Sequence, residues 1–182
     1  LSTVAYQKDG ENPQYALEGS VSIAGAAVQW LRDNLNIIEN SEDIESLAMS
    51  VKDNGDVYFV PAFSGLFSPH WDETARGVLV GLSRFSNKSH IARAVLESVA
   101  YQSNELLESM EKDIGTTFDT VNVDGGMVVN NLLMQFQSDI FDKKVTSQKI
   151  NEITALGAGA AAYLFINNLP LENMNSFISQ SK

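Results

Sequence analysis

Along most of this chain, short apolar runs alternate with amphipathic stretches of helical length, and that alternation restricts the fold more than any other feature. VYFVP at 57–61, RGVLVGL at 76–82 and TVNV at 120–123 read as strands. The first of them is stopped by a proline, which cannot donate to a ladder. Between and around them lie segments whose apolar residues recur with helical period. In SIAGAAVQWLRDNLNII, residues Ala24, Ala27, Val28, Leu31 and Leu35 fall at i, i+3, i+4, i+7 and i+11. Asn87 or Ser86 is placed to cap a long helix running to about Lys112, with Gly115 to close it. A further helix is expected from Val128 to about Asp142, carrying Val129, Leu132, Leu133, Phe136 and Ile140 on one side. A Gly/Ala-rich helix spans 155–166, and a short amphipathic one starts at Leu171. Strands alternating with helices of this length specify an α/β fold in which helices cover the strands.

The ends and flanks are plainer. Residues 1–6 and 15–21 form a hairpin around the turn-forming KDGENP. Residues 39–56 are acidic and polar, a solvated flank in which Ser41 before Glu42 and Asp43 starts a short surface helix.

Composition removes several functions. The chain has 182 residues, enough for one domain, and 44% of them are hydrophobic, enough for a real core. A net charge of -11 repels nucleic acid, yet leaves room for a phosphate ligand held by backbone N–H groups. There are no cysteines, so disulfides, thiolate metal sites and cysteine nucleophiles are excluded together. Two separated histidines, His70 and His90, do not make a zinc cluster. The longest weakly polar run, residues 153–166, is shorter than the roughly 20 residues a bilayer crossing needs, so no membrane span is expected. Residues 1–20 lack a basic segment followed by an apolar run, so no signal peptide is expected. Leu1 in place of Met suggests a longer parent chain.

Candidate chemistry lies at two bends. Gly25 is followed four residues later by Gln29, and Gly126 four residues later by Asn130, each pair at the expected first turn of a helix. Glycine lets a ligand approach the backbone, and the first helical amides lack internal partners. With the helix dipole they form a phosphate site, while an amide one turn on, stacked on the same helix face, offers donors and an acceptor for a base or a ribose hydroxyl. Two such turns facing each other would clamp an adenosine phosphate. Glycine at a strand-to-helix bend also serves plain chain reversal. The pattern is neither a Walker loop nor a complete G-x-G-x-x-G.

Five blocks carry a resemblance: YALEGSVSIAGAAVQWLRD, VPAFSGLFSPHWDETARG, HIARAVLESVAYQ, VDGGMVVNNLLMQFQSDI and ITALGAG. In order, and from about Tyr15 to Ala162, they resemble the C-terminal half of the glycerol kinases, a branch of the FGGY family of carbohydrate kinases. GVLVGLSRFSNKSHIARAVLE, residues 77–97, is similar to that family's second signature. The resemblance implies an actin-like ATPase (ribonuclease H-like) domain, α/β, with a mixed five-stranded sheet flanked by helices. Residues 1–182 would be the C-terminal nucleotide-binding lobe of a two-lobe kinase whose N-terminal lobe is absent from this chain. The implied reaction is ATP-dependent phosphorylation of glycerol to glycerol 3-phosphate, with Mg2+. Carried over position by position, Gly25 and Gln29 match one nucleotide contact pair, and Gly126 and Asn130 the other.

No catalytic residue is assigned within the chain, because the family's catalytic Asp falls upstream. So do its phosphate loop, its glycerol-binding side chains and a phosphate-contacting Thr. The isolated lobe is therefore expected to hold ATP or ADP and to turn over nothing. Glycerol would be bound mainly by the missing lobe. The resemblance further implies a cytoplasmic, homo-oligomeric full-length protein. Another FGGY sugar kinase remains open, as does a non-catalytic actin-like nucleotide-binding module.

Other residues are read more plainly. Asp124 is either a magnesium ligand or an acceptor for turn N–H groups. His70 and Asp72 in SPHWDE are read as structural, although the blocks usually carry an aromatic residue at His70 and proline at Glu73. The apolar loop around Phe63, Leu66, Phe67 and Trp71 must pack on its own domain, a missing lobe or another subunit. ALGAGAAAY allows close helix packing. Glu152 and Thr154 are given turn and capping roles, and Arg76 and Arg84 surface or interdomain pairing.

Overall fold

The computed structural model describes residues 2–147 and 153–174. The hairpin is present: β1 (Ser2–Tyr6) pairs antiparallel with β2 (Gln14–Leu17), with a register shift between Val4 and Tyr6. The second strand stops at Leu17, earlier than its apolar run suggested. Helix α1 (Gly25–Asp33) buries Ala27, Val28 and Leu31, as the spacing required. It ends two residues before Leu35, which is exposed. Asn36 adopts a left-handed φ of 52°, a conformation that asparagine tolerates and a helix does not.

The polar flank contains α2 (Asp43–Met49), which buries Ile44 and Ala48. Strands β3 (Tyr58–Val60) and β4 (Val78–Val80) pair antiparallel. Helix α3 (Lys88–Ile114) then runs 27 residues, roughly 40 Å at 1.5 Å per residue. Its ends follow the sequence. Asn87 Oδ1 accepts from the amides of Ser89 and His90, and Gly115 closes the helix at φ 75° with its N–H on Glu111 O. Next come β5 (Thr120–Val123), a 3-10 turn at Gly126–Val129, α4 (Asn131–Phe141) and β6 (Lys144–Ser147). The two strands run parallel with α4 as the crossover, the arrangement a strand-helix-strand alternation predicts. Helix α5 (Ile153–Ile166) and a 3-10 turn (Leu171–Asn173) complete the described chain.

The single five-stranded mixed sheet is not what the described residues form. Their strands pair in three separate two-stranded ladders, two antiparallel and one parallel. The β3–β4 ladder packs on α3 through β3, and the β5–β6 ladder on α4 through β6.

The core gathers around the first half of α3. Val95, Leu96, Val99 and Ala100 pack with Ala27 and Leu31 of α1, Ile44 and Ala48 of α2, Val57 before β3, and Leu133 of α4. Trp30 stacks on Phe59 at 5.6 Å and tilts against Phe63 at 5.1 Å. Those contacts, worth about 0.5–1.5 kcal/mol per pair beyond burial, fix α1 against β3 and the start of the apolar loop. Glu97, buried on α3, accepts from Arg93 Nε at 2.7 Å and from Asn54 Nδ2 at 2.9 Å, which satisfies a charge that is costly to bury alone. No described helix is long and apolar enough to cross a membrane.

Candidate functional site

Helices α1 and α4 both lean on α3 but leave a groove between their N-terminal ends. Its volume is about 830 Å³. One wall is Ala24, Gly25, Val28 and Gln29; the other is the bend from Val123 through Asn130, continued along α4 by Leu133, Met134 and Gln137. Val99 and Ser103 of α3, together with Ser41, Glu42, Ile44 and Glu45, complete the lining. The four residues singled out by spacing, Gly25, Gln29, Gly126 and Asn130, therefore lie around one cavity, although about a hundred residues of chain separate the pairs. Gln102 Nε2 donates to Ile23 O at 3.3 Å, which ties the approach to α1 to the middle of α3.

The α1 side has the form expected. Gly25 is its first residue, and Gln29 lies exposed one turn later. Ala24 supplies no side-chain cap, and the first turn carries no acidic residue. The leading amides and the positive end of the helix dipole are thus left without a protein carboxylate or hydroxyl. A Cβ added at Gly25 would sit 3.7 Å from Met127 Sδ, so the two glycine turns face each other.

The second turn departs from expectation, and its two glycines divide the work. Gly125 has φ 93° and ψ 178°, a region essentially restricted to glycine, so it makes the bend. Gly126 has no protein atom within 4 Å of where a Cβ would stand, so it leaves the groove open. The helix expected from Val128 starts only at Asn131, because residues 126–129 wind as a 3-10 turn. Asn130 is consequently not stacked on Gly126 along one helical face. Its backbone is extended and its side chain caps α4, with Oδ1 accepting from Leu133 N–H at 2.8 Å. Glu45 Oε1 accepts from Leu132 N–H at 2.9 Å. The first amides of α4 are thereby occupied, and what Asn130 retains for a ligand is its NH2 group.

The later start also shifts the buried face of α4. Leu133, Gln137 and Phe141 are its buried residues, while Val129 is exposed. Gln137 was not among the candidates read from the sequence. It is 7% exposed, and its Oε1 has no hydrogen-bond partner. Such an orphaned buried acceptor costs about 1–3 kcal/mol. The only available hint was a polar residue four positions from apolar ones on either side.

Asp124 lies exposed on the groove rim, and its carboxylate accepts no turn N–H from the described residues. No cluster of three or more metal-ligating side chains occurs among the described residues. A divalent cation here would therefore rest largely on ligand phosphates and water, as magnesium often does.

The SPHWDE loop is structural. Asp72 Oδ1 accepts from Thr74 Oγ1 at 2.7 Å and from the amides of Thr74 and Ala75, and these bonds hold its carboxyl below the ordinary range. His70 Nε2 lies 2.7 Å from Glu105 Oε1 on α3. Phe63 packs inward on Trp30, whereas Phe67 and Trp71 stay exposed. Arg76 bonds only to neighbouring backbone carbonyls among the described residues. Thr154 falls inside α5, and Glu152 lies outside the described residues.

Residues 2–164 match the C-terminal domain of the FGGY family of carbohydrate kinases. A glycerol kinase of Brucella anthropi is 63% identical over 166 residues, covering 91% of this chain and 33% of that protein. The crystal structure of Plasmodium falciparum glycerol kinase with ADP superposes with a TM-score of 0.85 at 36% identity, over 97% of this chain and 36% of that one. A ligand-bound xylulose kinase from Lactobacillus acidophilus gives 0.67 at 25% identity, over 84% and 31%. The chain spans about a third of the length of the relatives it matches.

Proposed function

Because the chain belongs to the FGGY family of carbohydrate kinases, we propose that it supplies the ATP-binding lobe for phosphorylation of glycerol to glycerol 3-phosphate. The observation that carries this reading is the groove itself, which collects Gly25, Gln29, Gly126 and Asn130 on two facing turns. In this role the uncapped amides of α1 and the open backbone at Gly126 receive phosphate groups. Gln29 and the Asn130 NH2 address the ribose or base. When bound, Mg2+ supplies charge neutralisation at the phosphates. Phosphoryl transfer depends chiefly on positioning and on stabilising charge across a closed cleft.

The catalytic Asp and most contacts to glycerol would come from a second lobe. In this reading the present chain holds ATP or ADP and does not turn over alone. An actin-like domain completed by further strands, a homo-oligomeric assembly and a cytoplasmic setting are parts of the same proposal. The high identity to glycerol kinases supports glycerol over the sugars of related kinases.

The test is ADP release by the full-length protein, with the 182-residue chain titrated alongside. Glycerol should stimulate release and xylulose should not. Equal stimulation by both would move the assignment to a broader sugar kinase. ADP binding by the chain, with no turnover of either substrate by the full-length protein, would point to a non-catalytic module.

A further inference from the structure

We infer that Gln137 reads the nucleobase, pairing its side-chain amide with the adjacent donor and acceptor of a 6-aminopurine edge. This rests on the nucleotide reading of the groove and adds to it a residue that sets base selectivity. Gln137 lines the cavity, is 7% exposed, and its Oε1 finds no partner in the protein. The same buried face of α4 carries Leu133 and Phe141, one turn to either side, so packing alone calls for an apolar residue here. Two nearby polar groups are already committed. Ser103 Oγ donates to Val99 O at 2.7 Å, and Asn130 Oδ1 caps α4. A donor entering through the groove, which Gln137 lines, would satisfy its Oε1.

Position selects which part of a ligand that is. Gln137 stands seven residues beyond Asn130, roughly 10 Å further along the helix from the glycine bend. That is about the reach of a nucleoside from its 5′-phosphate to the far edge of its base. Val99, Leu133 and Met134 line the same stretch and offer apolar surface to a planar ring. Phosphates carry no donor that could satisfy Oε1, whereas an exocyclic amine does. A glutamine amide matches the N6 donor and N7 acceptor of adenine in a bidentate pair. Hypoxanthine presents two acceptors on that edge and leaves Oε1 unsatisfied again.

The experiment titrates the 182-residue chain with ADP and with inosine diphosphate, for the unaltered sequence and for Gln137→Met and Gln137→Glu, with thermal melts to verify folding. The unaltered chain should prefer ADP by about tenfold, the discrimination of one good bidentate pair. Gln137→Met, which removes both polar groups, should bring the ratio close to one by weakening ADP more than inosine diphosphate. Gln137→Glu keeps an acceptor and loses the donor, so it should weaken both ligands while preserving the preference for ADP. If the methionine variant does not fold, unchanged ADP affinity in Gln137→Glu overturns the inference. An unchanged ADP-to-IDP ratio in Gln137→Met, or an equal loss for both ligands, overturns the inference while leaving nucleotide binding intact. Failure of the unaltered chain to bind ADP, or binding indifferent to Gly126→Val, overturns the nucleotide reading and the inference with it.

Discussion

The adjacent glycines at the second bend make opposite predictions, and their separation tests the reasoning about the groove. At Gly125 the backbone sits at φ 93°, ψ 178°, where a side chain costs about 1–3 kcal/mol. In a chain of 182 residues, each kcal/mol shifts Tm by roughly 2–4 °C. Gly125→Ala should thus lower Tm by about 2–12 °C. At Gly126 the backbone is not left-handed, and a Cβ would meet no protein atom within 4 Å. Gly126→Val should therefore cost only the modest helical penalty of a β-branched residue and move Tm by less than about 2 °C. Its methyl groups would project into the space a nucleotide occupies, so affinity for a fluorescent ATP analogue should fall at least about tenfold, or 1.4 kcal/mol. Circular dichroism melts and fluorescence titration of both variants read the two effects separately. If Gly126→Val binds the analogue as the unaltered chain does, or if both variants lose stability equally, the division between bend and binding surface is wrong.

Two further predictions follow from the hydrogen bonds at the ends of α3 and α4. Asn130→Ala should cost about 1 kcal/mol of stability through the lost cap on Leu133 N–H, whereas Asn130→Asp should keep the cap but remove the NH2 group, so its defect should appear in nucleotide titration and not in the melt. At the far end of α3, the Phe118 amide and then Lys143 hold the Glu111 carboxyl below its ordinary value of 4.5. A depressed folded-state pKa gives stability that is fully present above about pH 4.5 and is lost as pH falls through the lower folded value. The Tm gap between the unaltered chain and Glu111→Gln should accordingly close on acidification, and a gap constant over about pH 3–6 would contradict that role.

Local sequence determined every element whose cause is local. Asn87 and Gly115 bound α3 because a cap and a left-handed closing residue act on their own helix. The stripe Ala27, Val28 and Leu31 buries as its period requires, and the turn-forming residues after Tyr6 make the first hairpin. Spacing singled out the four residues at the glycine bends, and all four line one groove.

Tertiary structure decided what depended on neighbours distant in sequence. Which glycine bends the chain and which stays open follows from the backbone angles of the bend between β5 and α4, a helix that packs on α3. Asn130 became a cap because α4 began three residues later than its apolar pattern suggested, and Glu45 arrived from α2 to hold the adjacent amide. Gln137 could not be distinguished from a surface glutamine by sequence, because its burial depends on α3 lying across that face. Strand pairing is the most distant relation of all, and for that reason the sequence conveyed the α/β alternation while the fold alone divided the described strands into three ladders.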